Sequence, residues 1–160
     1  MIEPNRSTPY WVRTSILFGV GLFLIALTVS AIFIPQLRLL HSLQALIYVA
    51  LIVLTKRNSP WGYGVGVVIA TAWNSMSLFI THLFQVGVGQ LLDLGRGGHV
   101  SRPDSLMVMV GGIGHFVLIF ACMIGFLRLR PNKRDWLQFS AGGFLVLAYM
   151  ALIIFVAAPR

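Results

Sequence analysis

Apolar residues are concentrated in five long runs, and the short stretches between the runs carry most of the charge. The runs cover residues 13–34, 39–55, 61–83, 105–127 and 136–158. Each is close to the roughly 20 residues that an α-helix needs to cross the hydrocarbon of a bilayer. The pattern therefore predicts an all-α polytopic integral membrane protein, a single domain built as a bundle of five transmembrane helices.

The composition supports lipid as the main surrounding. Of the 160 residues, 58% are hydrophobic and only 10% are charged, whereas soluble domains carry about 25% charged residues. The net charge of +8 is compatible with binding to nucleic acid, but the basic residues stand in short clusters between apolar runs. Such clusters are typical of topology signals and contacts with lipid headgroups. We therefore expect a lipid bilayer as the partner, and no nucleic acid.

The first apolar run has a second interpretation, as a cleaved signal peptide. Val29-Ser30-Ala31 resembles a cleavage site for the secretory peptidase. The apolar run is longer than the roughly 7–15 residues of a signal core, which favours a retained span.

The third run continues beyond the length that one span requires. Residues 84–94 remain largely apolar but include polar side chains. One helix over residues 61–94 would measure about 50 Å, well over the thickness of the hydrocarbon. We expect a break near Gly87 or Gly89, and a short interfacial helix after the third span.

Six polar residues recur along the third run and just after it. On a helical wheel they fall within a sector of about 120°. They are Thr71, Asn74, Ser75, Thr81, His82 and Gln85. Because hydrocarbon cannot satisfy polar groups, this pattern predicts a buried polar stripe that faces the inside of the bundle.

Basic residues in short loops indicate the cytoplasmic side of a membrane protein. With five spans, one side of the membrane holds eight of them: Arg6, Arg13, Lys56, Arg57, Arg128, Arg130, Lys133 and Arg134. The other side holds four: Arg38, Arg96, Arg102 and Arg160. This distribution predicts a cytoplasmic N-terminus and an outer C-terminus, in a bacterial-type inner membrane.

The predicted topology places His82 and His115 in the outer half of the bundle, on helices joined by one loop. Histidine can bind haem or hydrogen-bond a quinone, so the two residues form a candidate cofactor site. Zinc is disfavoured, because both imidazoles would have to lie within about 2.1 Å of the ion. The alternative is that both histidines serve only in packing. Cys122 is the single cysteine, so no disulfide can form within the chain.

Three functions are compatible with these patterns. The favoured one is a non-catalytic subunit or accessory protein of a membrane complex, because the chain is small, has rows of glycine suited to helix packing, and has only four acidic residues for catalysis. Its partner would be a larger membrane complex or further copies of the same chain. The second is a redox protein that holds haem or a quinone with His82 and His115. The third is a small-solute transporter or channel protomer whose path follows the polar stripe.

Overall fold

The structure is a computed structural model that describes residues 8–157, and it contains helices and no strand within that range. The helices are α1 (Tyr10–Phe33), α2 (Arg38–Lys56), α3 (Pro60–Ser75), α4 (Leu83–Gly95), α5 (Pro103–Arg128) and α6 (Lys133–Ala157). A short 3₁₀ turn (Pro35–Leu37) precedes α2, and a π-helical turn (Met76–Ile80) extends α3.

Five helices are long and apolar enough to cross a membrane, which confirms the predicted all-α polytopic bundle. They are α1, α2 with the 3₁₀ turn, α3 with the π turn, α5 and α6. The short helix expected after the third span is present as α4. Arg6, Arg160 and the last residue of the fifth predicted span lie outside the described residues.

The break after the third span lies earlier than the glycines that were expected to cause it. It falls at Thr81 and His82, and His82 adopts a left-handed backbone with φ of 55°. A residue in this conformation ends a helix, because the backbone can no longer continue the α-helical hydrogen bonds. Gly87 instead lies inside α4, where a Cβ atom would collide with the backbone oxygen of Ser105. The prediction of a break near Gly87 or Gly89 was therefore wrong.

Helix α3 occupies the centre of the bundle and packs against α2, α5 and α6. Its glycines allow this close approach. A Cβ at Gly62 would lie 2.6 Å from Leu54 of α2, and a Cβ at Gly66 would lie 2.5 Å from Cys122 of α5. A Cβ at Gly64 would collide with the backbone of α6. Small residues permit such short distances between membrane helices, so they determine which face of α3 points inward.

A hydrogen-bonded cluster closes the end of the bundle at which α1 begins. The Thr8 hydroxyl lies 2.6 Å from the hydroxyl of Tyr63 and donates to Asn58 Oδ1 at 2.7 Å. Asn58 belongs to the turn between α2 and α3 and has a left-handed backbone, with φ of 53°. We call Thr8, Asn58 and Tyr63 the Thr8 clasp. It ties the start of α1 to the start of α3.

Candidate binding cleft

The six polar residues of the predicted stripe do not share a buried face. Asn74 is buried, with 4% of its surface exposed, and its Nδ2 donates to the backbone oxygen of Gly112 at 3.2 Å. The other five are exposed on the surface of the chain: Thr71, Ser75, Thr81, His82 and Gln85. The prediction of a stripe facing the bundle is wrong for these five. The row of Gly62, Gly66 and Ala70 sets the inward face instead, and Asn74 is buried because it continues that row.

His82 and His115 have opposite surroundings and share no contact. His82 is exposed at the break between α3 and α4, and it makes no hydrogen bond with the described residues through its side chain. His115 is fully buried in α5. A haem held between the two histidines does not fit this arrangement.

The surroundings of His115 explain why its ring is not accessible. Its Nε2 lies 2.6 Å from the hydroxyl of Tyr48 on α2, in a fully buried hydrogen bond. The ring centroid is 4.0 Å from that of Phe23 and 5.2 Å from that of Trp73. One nitrogen is hydrogen-bonded and the ring is enclosed by aromatic side chains, so His115 joins α1, α2, α3 and α5.

An open cleft of about 220 Å³ lies beside this aromatic group, at the end of the bundle where α1 ends and α5 begins. Most of its wall is apolar, and the polar contributions come from Ser30, His41, Gln44, Trp73 and Asp104. Phe23 and Trp73 line the cleft and also contact His115, so they separate the cleft from the buried histidine. We call this space the Gln44 cleft.

Gln44 is the buried polar side chain of the cleft. Only 6% of its surface is exposed, and its Oε1 accepts no hydrogen bond from the described residues. A buried amide oxygen without a partner costs about 1–3 kcal/mol. Gln44 Oε1 and His41 Nδ1 are the two buried polar atoms of the cleft lining without a partner among the described residues, and Gln44 is the more deeply buried of the two side chains.

The charge at the rim of the cleft is already balanced. Asp104 accepts a hydrogen bond from Arg102 at 2.8 Å, in an ion pair whose two side chains are partly exposed. The hydrogen bond and the charge of Asp104 raise the pKa of Arg102 above its ordinary value, so the guanidinium stays protonated. The pair leaves no unbalanced carboxylate to attract a cation into the cleft.

Sequence reasoning did not identify Gln44 and Tyr48 as site residues, although α2 contained a signal. His41, Gln44, Tyr48 and Thr55 recur at helical spacing and form one polar line. Gln44, Tyr48 and Thr55 are buried, and His41 is half-buried. This polar line did not by itself indicate a site, because tyrosine and histidine near the end of a span are also typical of interfacial positions.

Fold and site together define a small polytopic α-helical membrane protein whose described residues form a partly polar cleft. No protein-family model matches the chain, and neither a curated protein nor a solved structure matches it. No group of three or more histidine, cysteine or acidic residues that could hold a metal ion occurs among residues 8–157.

Proposed function

We propose that the protein is a non-catalytic subunit of a membrane complex and that it packs against another transmembrane chain through an exposed polar face. We call this surface the α3–α4 polar face. It consists of Thr71, Ser75, Thr81, His82 and Gln85. The observation that carries the proposal is the outward position of these side chains on a span and its extension.

The depth of this face is the first support. Ser75 follows Asn74, whose amide reaches Gly112 of α5. Gly112 is the tenth residue of α5, about 14 Å along the helix from its first residue. Ser75 therefore lies at the depth of the hydrocarbon, where polar groups are stabilised by a protein partner and not by lipid.

The hydrogen bonding of the face is the second support. The side chains of Thr71, Ser75 and His82 make no hydrogen bond with the described residues. Thr81 and Gln85 bond only to backbone oxygens of the π turn. Hydrogen bonds between membrane helices contribute about 0.6 kcal/mol on average and up to about 1.7 kcal/mol. Several donors on one face can therefore supply a specific contact with a neighbouring helix.

The other two hypotheses are less compatible with this geometry. A transport path within a single chain needs those side chains to face an internal passage, but five of the six point outward. A haem ligated by both histidines needs an accessible His115, which is fully buried. The docking role uses the polar residues where they lie.

Site-specific photo-crosslinking in intact membranes tests the docking face. A photoreactive phenylalanine analogue at Thr71 is expected to give a discrete protein adduct. The same group at Phe144, an α6 residue that is 77% exposed, is the matched control and is expected to label lipid only. An adduct of twice the chain's 17.7 kDa would identify a second copy as the neighbouring chain. Identical products from both positions, or no protein adduct from Thr71, would contradict the proposal.

We further propose that the N-terminus is cytoplasmic, in a bacterial-type inner membrane. The excess of basic residues on the loops that join α2 to α3 and α5 to α6 supports this orientation. Cysteines placed at Asn5 and Pro159 should react differently with an impermeant thiol reagent applied to intact cells, and only Pro159→Cys should be labelled. Cys122 is buried and should give no background. Labelling of Asn5→Cys alone, or of both positions, would refute the orientation.

A further inference from the structure

We propose that the Gln44 cleft binds an uncharged hydroxyl group carried on an apolar body, as in a quinol-type aromatic alcohol or an acylglycerol. This inference concerns a different surface from the α3–α4 polar face and does not depend on the docking role. It rests on three features that occur together: an open cleft, a mostly apolar wall and the buried amide of Gln44 in that wall.

The amide of Gln44 determines the hydrogen-bonding chemistry. Its Oε1 is an acceptor that is buried without a donor. This oxygen has almost no accessible surface, so a ligand pairs with it once the amide group turns toward the cleft, and that ligand must offer an O–H or N–H group. A hydroxyl is suitable because it can donate to the oxygen and accept from the amide nitrogen of the same side chain. An ether or an alkane cannot donate and would leave the oxygen unpaired.

The walls of the cleft favour an apolar ligand without charge. Leu27, Leu40, Met107 and Val108 contribute hydrocarbon, and Phe23 contributes a buried aromatic ring at the inner end. Burial of apolar ligand surface against such walls contributes about 25 cal/mol per Å². Because the one carboxylate at the rim is paired with an arginine, the wall provides no free charge to bind an ion.

The size of the space limits the ligand further. A volume of about 220 Å³ is below the range of roughly 300–1,000 Å³ that is usual for drug-sized ligands. It accommodates one ring or a glycerol group and is too small for a macrocycle. A neighbouring cavity of about 410 Å³ between α1 and α2 shares Leu27 and His41 with the cleft. The wall of that second space combines apolar side chains with Arg38 and Ser42, so it offers no purely apolar continuation of the cleft.

The test measures binding of two defined probes to the purified chain in detergent, 4-decylphenol and 1-decylglycerol. The readout is the fluorescence of Trp73, which lines the cleft, in a variant that has phenylalanine at the other three tryptophans. We expect saturable quenching or a saturable spectral shift with at least one probe. A response to 4-decylphenol alone identifies aromatic alcohols as the source of the hydroxyl, and a response to 1-decylglycerol alone identifies lipids with a glycerol head.

Two comparisons show whether the side chain of Gln44 contributes to binding of the probe. Gln44→Leu should weaken binding of the responding probe about tenfold, because the hydrogen bond is lost. The matched control is Gln138→Leu, a half-buried glutamine of α6 outside the cleft, and it should bind like the parent. On the parent chain, the responding probe with every hydroxyl converted to a methyl ether should also bind about tenfold more weakly.

The ether comparison needs no change to the protein, so it holds even if Gln44→Leu fails to fold. Absence of saturable binding by both alcohols overturns the proposal. So does an ether that binds as tightly as its alcohol, since the cleft would then be only an apolar space. An unchanged affinity in a folded Gln44→Leu variant overturns it as well.

Discussion

Replacing Tyr48 by phenylalanine removes one hydroxyl from the interior of the bundle and leaves the aromatic ring in place. The hydroxyl lies 2.6 Å from His115 Nε2, and both residues are at most 1% exposed. Hydrogen bonds between membrane helices contribute about 0.6–1.7 kcal/mol, and a buried nitrogen left unpaired costs about 1–3 kcal/mol. The ring contact with Phe23, at a centroid distance of 4.7 Å, should remain. We therefore expect Tyr48→Phe to lower the free energy of unfolding by about 1–2 kcal/mol.

The assay is reversible unfolding in mixed micelles with increasing sodium dodecyl sulfate, followed by circular dichroism. Tyr10→Phe is the control, because Tyr10 is 84% exposed and should show no change. A double-mutant cycle with His115→Leu isolates the pair, and the coupling free energy should be about 1 kcal/mol. A coupling close to zero, with both single variants folded, would refute the view that this hydrogen bond holds α2 against α5.

Three residues of α3 are tested by substitution, two of them with a matched control. Gly64→Ala should destabilise the bundle by about 1–3 kcal/mol, because the new Cβ would meet the backbone of α6. Gly89→Ala is the control in the same unfolding assay. It should be neutral or stabilising, because its Cβ meets nothing within 4 Å. Asn74→Leu should lower the free energy of unfolding by about 0.6–2 kcal/mol, because its hydrogen bond to α5 is lost. Met76→Leu, on the exposed side of the helix, should lower it less. Equal effects of the two substitutions would contradict the burial of Asn74. Tyr63→Phe should cost about 1 kcal/mol by removing the Tyr63 hydroxyl from the Thr8 clasp, and an unchanged midpoint would show that this hydrogen bond does not stabilise the fold.

The helical class and the number of spans were predictable because the length of an apolar run relates directly to the thickness of the hydrocarbon. The break in the third span was not. Glycine is the usual sequence signal for a left-handed residue, and that signal pointed to Gly87 and Gly89. The structure places the left-handed backbone at His82, directly after a π turn. The pattern of apolar and polar residues contains no marker for that turn.

The inward face of α3 shows why the candidate site was only partly predictable. Polar periodicity identifies side chains that need a partner, but it does not show whether the partner belongs to the same chain. Gly62, Gly66 and Ala70 decided the orientation, because close packing of helices outweighs the burial of a few hydroxyls. Gln44 and His115 were brought near one cleft by contacts between α1, α2 and α5. Contacts of that kind cannot be derived from one helix at a time.

The two ends of the bundle differ in a way that limits the route of any bound molecule. At one end the Thr8 clasp joins the helices, and fully buried side chains such as Leu51, Phe126 and Leu118 fill the space above it. At the other end the Gln44 cleft is open, down to Phe23. The lining of the cleft includes no residue of the Thr8 clasp, so a molecule held at Gln44 lies near one end of the described bundle and does not extend along its full length.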